Sequence, residues 1–176
     1  MLRKVVKFMT SKETAYFAGG CFWCITPTFK ETPGVLSVTS GYSGGDEVNP
    51  VYYDVKTQKT GHRETIRIEF DPELVSFETL FEIFLCGVDP FDQGGQFIDR
   101  GFSYTLAVYW LNENQRQITE SGIRKLEQTS GHKVYISVEP FKSFYSAEEE
   151  HQDYYLKHPK EFEEELISSG RKERPQ

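Results

Sequence analysis

The sequence predicts an α/β (α+β) domain of two layers, a mixed sheet packed by helices. Three observations carry that prediction. Period-two segments, clearest in Thr65-Ile66-Arg67-Ile68-Glu69-Phe70, alternate along the chain with helix-period segments such as Phe77, Leu80, Phe81, Phe84 and Leu85. The 176 residues suffice for one well-developed core and are short for two. No internal repeat or low-complexity linker divides them, so a single domain is expected over residues 15–167, between a polar lead-in at 1–14 and a flexible tail at 168–176.

The elements follow in order. The apolar run Ala15-Tyr16-Phe17-Ala18 predicts a strand at 14–18, stopped by Gly19-Gly20. Phe22, Trp23, Ile25 and Phe29 fall at roughly helical spacing and predict a helix over 22–31, with Pro27 expected in its first turn, where proline is tolerated. A strand is expected at 35–42, then a long glycine-rich loop, then the alternating strand that Asp71-Pro72 ends. A helix is expected at 76–86, and a second loop, rich in Gly, Asp and Pro, at 86–101. Strands at 104–111 and 134–138 flank a helix at 113–130 with Ile118, Gly122 and Leu126 inward. The acidic stretch 147–168 is expected to close the chain as one helix. Two loops of about 15 residues are uncommon in a compact domain unless they carry function.

Lys+Arg 20 against Asp+Glu 27 gives a formal net charge of -7, so bulk charge draws this chain neither to nucleic acid nor to anionic membrane. Thr10, Ser11, Lys12 and Glu13 interrupt any signal-like apolar stretch, and no run is long and apolar enough to span a bilayer. Three cysteines are too few for a secreted disulfide scaffold, and the odd count leaves a thiol unpaired. A reducing cytoplasm is the expected location, where a close cysteine pair is more often catalytic or metal-binding than structural.

That pair is Cys21 and Cys24, in Gly20-Cys21-Phe22-Trp23-Cys24. Strand, tight turn and helix would set Cys21 in a first helical turn, where free amides and the helix dipole favour a thiolate and lower its pKa. Two bulky aromatics supply an apolar wall beside it. The competing reading makes both cysteines ordinary buried residues.

The two loops hold what could complete a site. Gly41-Tyr42-Ser43-Gly44-Gly45, Asn49-Pro50-Val51-Tyr52, Gly61-His62-Arg63-Glu64 and Phe70-Asp71-Pro72 follow in that order, and Gln93–Gly101, Tyr104 and Glu148–Tyr155 continue it. Together with Gly20-Cys21-Phe22-Trp23 this order resembles the A-type peptide methionine sulfoxide reductases over roughly residues 15–160. The resemblance implies a ferredoxin-like fold and reduction of methionine sulfoxide, its S epimer, in oxidised proteins or free. It implies no metal, flavin or nucleotide cofactor, and thioredoxin as the recycling partner.

The resemblance also assigns roles. Cys21 would be the nucleophile, and Phe22 and Trp23 the seat of the S-methyl group, since aromatic faces suit a thioether better than water. Glu64 would be the proton donor, its pKa raised among aromatics. Tyr52 and Tyr104 would hold the sulfoxide oxygen, and Asp99 would order the site. Each residue taken alone has a plainer reading: packing for the tyrosines, a solvated strand end for Glu64, hydrogen-bonded structural roles for His62 and His151. Only their joint match to one ordered pattern favours the site.

The chain also departs from the family's pattern. Cys24 and Thr26 stand where many members carry a glycine and an acidic residue. The common QYRS segment is Ser103-Tyr104-Thr105-Leu106, which removes an arginine and with it an expected charge partner of the pocket. The tail lacks the C-terminal cysteines through which some members recycle, so the resolving thiol would be Cys24, Cys86 or an external reductant. Cys24 is favoured, being three residues from Cys21. Two other functions compete: a general CxxC thiol-disulfide oxidoreductase, which would need no Glu64, and a binding module with half a zinc site, for which no further ligand pattern is evident.

Overall fold

The computed structural model describes residues 11–173. Chain order is β1 (Glu13–Gly19), α1 (Phe22–Lys30), β2 (Val35–Ser43), α2 (Tyr52–Lys56), β3 (Arg63–Phe70), α3 (Phe77–Gly87), β4 (Gly95–Gln96), β5 (Asp99–Arg100), β6 (Leu106–Trp110), α4 (Glu113–Ser130), β7 (Ile136–Pro140), β8 (Phe144–Ser146), α5 (Tyr154–Lys157) and α6 (Pro159–Ser168). Single 3₁₀ turns lie at Phe102–Tyr104, Glu149–His151 and Arg171–Glu173.

One six-stranded sheet runs β7-β6-β1-β3-β2-β8. Its inner strands β6-β1-β3-β2 pair antiparallel, and with α1 and α3 they form the βαββαβ unit of a ferredoxin-like fold. α4 carries the chain from β6 to β7, which therefore pair parallel. β4 and β5 form a separate two-stranded hairpin.

Alternation along β1 divides the two faces. Phe17 meets Phe29 of α1 and Phe77 and Phe84 of α3 with ring centroids 5.8, 5.7 and 4.9 Å away, so the helices cover that face. Tyr16, on the other face, stacks on Phe141 at 4.2 Å. Removing a buried phenylalanine such as Phe17 typically costs about 3–5 kcal/mol, so this layer is the main source of stability.

Several expectations are corrected. Both long loops contain structure: α2 in the first, and β4 and β5 in the second, while a 3₁₀ turn at Phe102–Tyr104 precedes the strand expected from 104, which begins at Leu106. β8 was not foreseen. The single helix expected over 147–168 is broken. Gln152 inserts its amide between strands, accepting from Ser40 N–H and donating to the Ser40 and Ala147 carbonyls at 2.9 Å each. Asp153 then takes a left-handed φ of 52°, and Pro159 forces His158 out of helical geometry before opening α6. Pro27 lies in the second turn of α1, because the helix begins at Phe22. Glu13 and Thr14 belong to β1, while residues 1–10 of the expected lead-in lie outside the described residues. The tail expected from residue 168 does not describe Ser169 and Arg171, whose surroundings are buried.

Candidate active site

The site is built where β1 hands over to α1. Gly20 has φ +79°, and a Cβ there would meet Gln96 Cβ at 2.7 Å, so the turn requires glycine twice over. Gln96 is itself fixed, accepting from Asp89 N–H at 2.7 Å and donating to the Asp89 and Gly95 carbonyls at 2.8 Å. Cys21 follows as the N-cap residue of α1 and is 4% exposed.

Cys21 makes no side-chain cap for the helix; a carboxyl from β3 does. Phe22 N–H donates to Glu64 Oε2 at 3.0 Å. Glu64 is 1% exposed, and its burial outweighs that hydrogen bond, raising its pKa to about 8 with Asp99 and Glu165 adding to the rise. At neutral pH this carboxyl holds a proton.

Cys21 does not follow the helix-terminus expectation. A hydrogen bond with Cys24, then burial, then the charges of Cys24, Glu64 and Glu165 push its thiol well above the ordinary cysteine range. The dipole of a nine-residue helix loses to a buried site flanked by carboxyls.

Aromatic rings line the approach. Tyr52 stacks on Phe22 and Trp23 with centroids 6.2 and 5.9 Å away, and on His151 at 4.1 Å. Trp23 stacks face to face on Tyr154 at 3.8 Å and 8°. Tyr52 is set at the start of α2 by Glu148, whose Oε1 accepts Tyr52 N–H at 2.8 Å and whose Oε2 accepts the Tyr42 hydroxyl at 2.7 Å. Against burial, which pushes it up, these bonds hold the Glu148 carboxyl below the usual range. Tyr104, on the 3₁₀ turn before β6, is 7% exposed; burial and then the Glu64 charge raise its phenol, and the same two causes raise that of Tyr52. Both hydroxyls therefore keep their protons and can donate to an oxygen.

His62 is fixed by Gly45 N–H at 3.3 Å and the Glu47 carbonyl at 2.9 Å, a structural role. His151 differs from its expected role: neither ring nitrogen has a hydrogen-bond partner, and it serves as a stacking plate.

The C-terminal segment supplies two residues that sequence reasoning missed. Glu165 of α6 reaches Cys21, whose Sγ donates to Oε1 at 3.6 Å. Arg171 Nη2 pairs with Asp99 Oδ2 at 3.0 Å, stacks over Phe97 at 4.6 Å and interacts electrostatically with Cys24 and Cys21. The pocket cation expected to be lost with the QYRS arginine is thus present, delivered from the tail. Glu165 in an acidic run and Arg171 in the charged stretch after Ser168-Ser169-Gly170 both read as solvated, so nothing in the sequence singled them out.

The sulfurs of Cys21 and Cys24 and a Glu165 oxygen all lie within 4.8 Å of one another. Among the described residues no fourth ligand joins them, and the Arg171 cation acts on the same sulfurs. Cys86, at the exposed end of α3, is outside this group; with Cys24, Phe97 and Arg171 it lines a neighbouring cavity of about 310 Å³.

A buried cysteine beside a second thiol, a protonated carboxyl and two neutral tyrosines fits a thiol-dependent oxidoreductase. The profile of the peptide methionine sulfoxide reductase family matches residues 13–176, and the chain belongs to that family. The peptide methionine sulfoxide reductase MsrA of Bacillus licheniformis is 46% identical over 162 residues, 91% of this chain and 90% of that protein. Among solved structures, methionine sulfoxide reductase A of Corynebacterium diphtheriae matches with a TM-score of 0.77 and 32% identity, over 84% of this chain and 76% of that one. Mxr1 of Saccharomyces cerevisiae in reduced form matches at 0.80 with 24% identity, over 85% and 87%. Mxr1 in complex with Trx2 matches at 0.56 with 16% identity, over 86% and 91%. The chain is a methionine sulfoxide reductase, and the general thiol-disulfide and zinc-module readings fall away. Among the described residues no helix is long and apolar enough to cross a membrane.

Proposed function

We propose that this chain reduces the S epimer of methionine sulfoxide, protein-bound or free, by the following division of labour. Cys21 sulfur attacks the sulfoxide sulfur. Glu64 gives its proton to the oxygen, and the Tyr52 and Tyr104 hydroxyls hold that oxygen while Phe22 and Trp23 seat the methyl group. As the sulfur–oxygen bond of the sulfoxide breaks, the protonated oxygen passes to the Cys21 sulfur, the transient bond between the two sulfurs breaks with its electron pair going to methionine, and Cys21 is left oxidised as the sulfenic acid. Asp99, paired with Arg171, is among the groups that favour the protonated form of Glu64.

Cys24 then attacks the sulfenic acid, water departs, and a Cys21–Cys24 disulfide remains for thioredoxin to reduce. Cys24 is preferred to Cys86 because its sulfur, and not that of Cys86, belongs to the cluster around Cys21. The Mxr1–Trx2 complex supports a thioredoxin partner by likeness of fold. Three free cysteines, one exposed, suit a reducing cytoplasm.

One observation carries the reading: a carboxyl protonated up to about pH 8 is tied to the amide next to the reacting cysteine. The test compares reduction of each epimer of methionine sulfoxide, with dithiothreitol and with thioredoxin, against reduction of insulin disulfides. Fast turnover of the S epimer without insulin activity is expected. Equal activity on both epimers, or none, overturns the proposal.

A further inference from the structure

The mechanism above uses Cys24 but gives its proton no destination. Forming the disulfide takes Cys24 from thiol to half-disulfide and releases the sulfenic oxygen of Cys21 as water. One proton must leave Cys24, and one must reach the departing oxygen, since hydroxide is a poor leaving group. Glu64 has given its proton to that oxygen in the preceding step.

The C-terminal segment places a second carboxyl where both transfers occur. Glu165 Oε1 lies 3.6 Å from Cys21 Sγ, and its carboxylate and both sulfurs fall within 4.8 Å of one another. Arg171, six residues on, is fixed by Asp99 at 3.0 Å, stacks on Phe97 and lines one cavity with Cys24. We propose that Glu165 is the proton relay of the disulfide-forming step, taking the Cys24 proton and delivering one to the oxygen leaving Cys21, while Arg171 positions and stabilises the Cys24 thiolate.

Atoms balance without any further reactant: Cys24 thiol and Cys21 sulfenic acid give one disulfide and one water, and Glu165 ends as it began. Timing is consistent, because methionine has left before this step and the carboxyl and the substrate need not share the sulfur. Burial and the Asp99 charge push the Glu165 carboxyl above its usual range. The titratable and charged groups acting on it are Cys21 from the N-terminus of α1, Lys56 and Tyr52 from α2, Glu64 from β3, Asp99 from β5, Tyr154 from α5 and Arg171 from the last turn. This inference deepens the proposed function and rests on Cys24 as the resolving thiol.

The test uses the full-length, reduced enzyme mixed with one equivalent of methionine sulfoxide and no external reductant. Rapid quench follows methionine formation and loss of the second thiol separately. In Glu165→Gln the disulfide-forming rate should fall roughly 10-fold or more relative to the methionine-forming rate, and sulfenic acid trappable by dimedone should accumulate. Glu165→Asp should recover part of that ratio. Arg171→Lys should keep more of it than Arg171→Ala, and Arg171→Ala should shift the pH profile of the second step upward. If Glu165→Gln slows both steps equally, or leaves the second step with its normal rate and pH profile, the relay is wrong. Cys24→Ser is measured in parallel: if it still forms an intramolecular disulfide, the reading of Cys24 fails and the relay with it. If it forms none while Glu165→Gln forms one normally, the relay alone fails.

Discussion

Phe22 N–H caps its own helix on Glu64 of a different strand, 3.0 Å away and 42 residues distant in sequence. That bond fixes the carboxyl beside Cys21 and, because burial outweighs it, fixes a proton on the carboxyl as well. The pair therefore couples the position of the proposed acid to that of the proposed nucleophile. Several expected outcomes depend on it.

Activity should depend on pH in a form that reveals the order of the two titrations. The Cys21 thiol titrates well above the ordinary cysteine range and Glu64 at about 8, so the reactive combination of thiolate and protonated carboxyl is a minor form. As pH rises toward 8 the thiolate fraction grows and the rate climbs. Above 8 each gain in thiolate is offset by loss of the Glu64 proton, and the profile flattens. Glu64→Gln should lower the rate by roughly 10²-fold and let the climb continue past the former plateau. A bend near pH 8 that survives in Glu64→Gln would belong to another group.

The same shift makes stability pH-dependent. Between the ordinary carboxyl value of 4.5 and about 8, folded Glu64 keeps a proton that the unfolded chain gives up, so its contribution to stability falls as pH rises through that window. Glu64→Gln removes this loss. Urea midpoints at pH 5 and pH 8.5 should show the variant gaining on the wild type at the higher pH. An unchanged difference between the two would mean that Glu64 is not protonated in the native protein.

Cys21→Ser should abolish turnover and leave the fold intact, because the alcohol keeps the shape and hydrogen-bonding capacity of the thiol but cannot act as its nucleophile near neutral pH. Circular dichroism checks the fold, and methionine release over long incubation checks the activity. Substantial residual release would place the nucleophile elsewhere.

Gly20→Ala should both destabilise and slow the enzyme. A residue with a Cβ is strained at φ +79°, and that Cβ would press on Gln96 Cβ at 2.7 Å and Cγ at 2.9 Å. Together these typically cost about 1–3 kcal/mol, read as a lowered denaturation midpoint. Because Cys21 follows directly, kcat should fall more than KM rises. Loss of stability with unaltered kcat would show that the turn does not position the thiol.

The frame of this molecule was legible because its elements are long and periodic. Thr65–Phe70 alternates along an inner strand, and Phe77, Leu80, Phe81 and Phe84 give α3 its buried side. Site residues were legible through ordered motifs rather than through their own chemistry. The unforeseen elements are those whose existence depends on distant partners: α2 begins at an amide held by Glu148, and the break after His151 is fixed by Gln152 on Ser40. The Cys21 shift runs opposite to the expectation from its helix position, because that position can be read from sequence whereas burial beside Cys24, Glu64 and Glu165 cannot. Glu165 stands in the run Glu161-Phe162-Glu163-Glu164-Glu165, and only folding separates it from its solvated neighbours.

The identity of the resolving thiol is tested by the division between one turnover and many. Cys24 sits one helical turn from Cys21, with its N–H bonded to the Cys21 carbonyl at 3.1 Å. An intact helical turn is poor geometry for a disulfide, so the first turn of α1 must loosen as the bond forms. That first turn carries the Phe22 amide, whose N–H is bonded to Glu64. On the proposed pathway the oxidised enzyme would then be a strained, readily reduced form suited to thioredoxin. Cys24→Ser should therefore still release one equivalent of methionine, accumulate sulfenic acid detected by dimedone, and fail to cycle with thioredoxin. Normal cycling in Cys24→Ser, with failure in Cys86→Ser, would move the role to Cys86 and require α3 and the loop that follows it to close over the site.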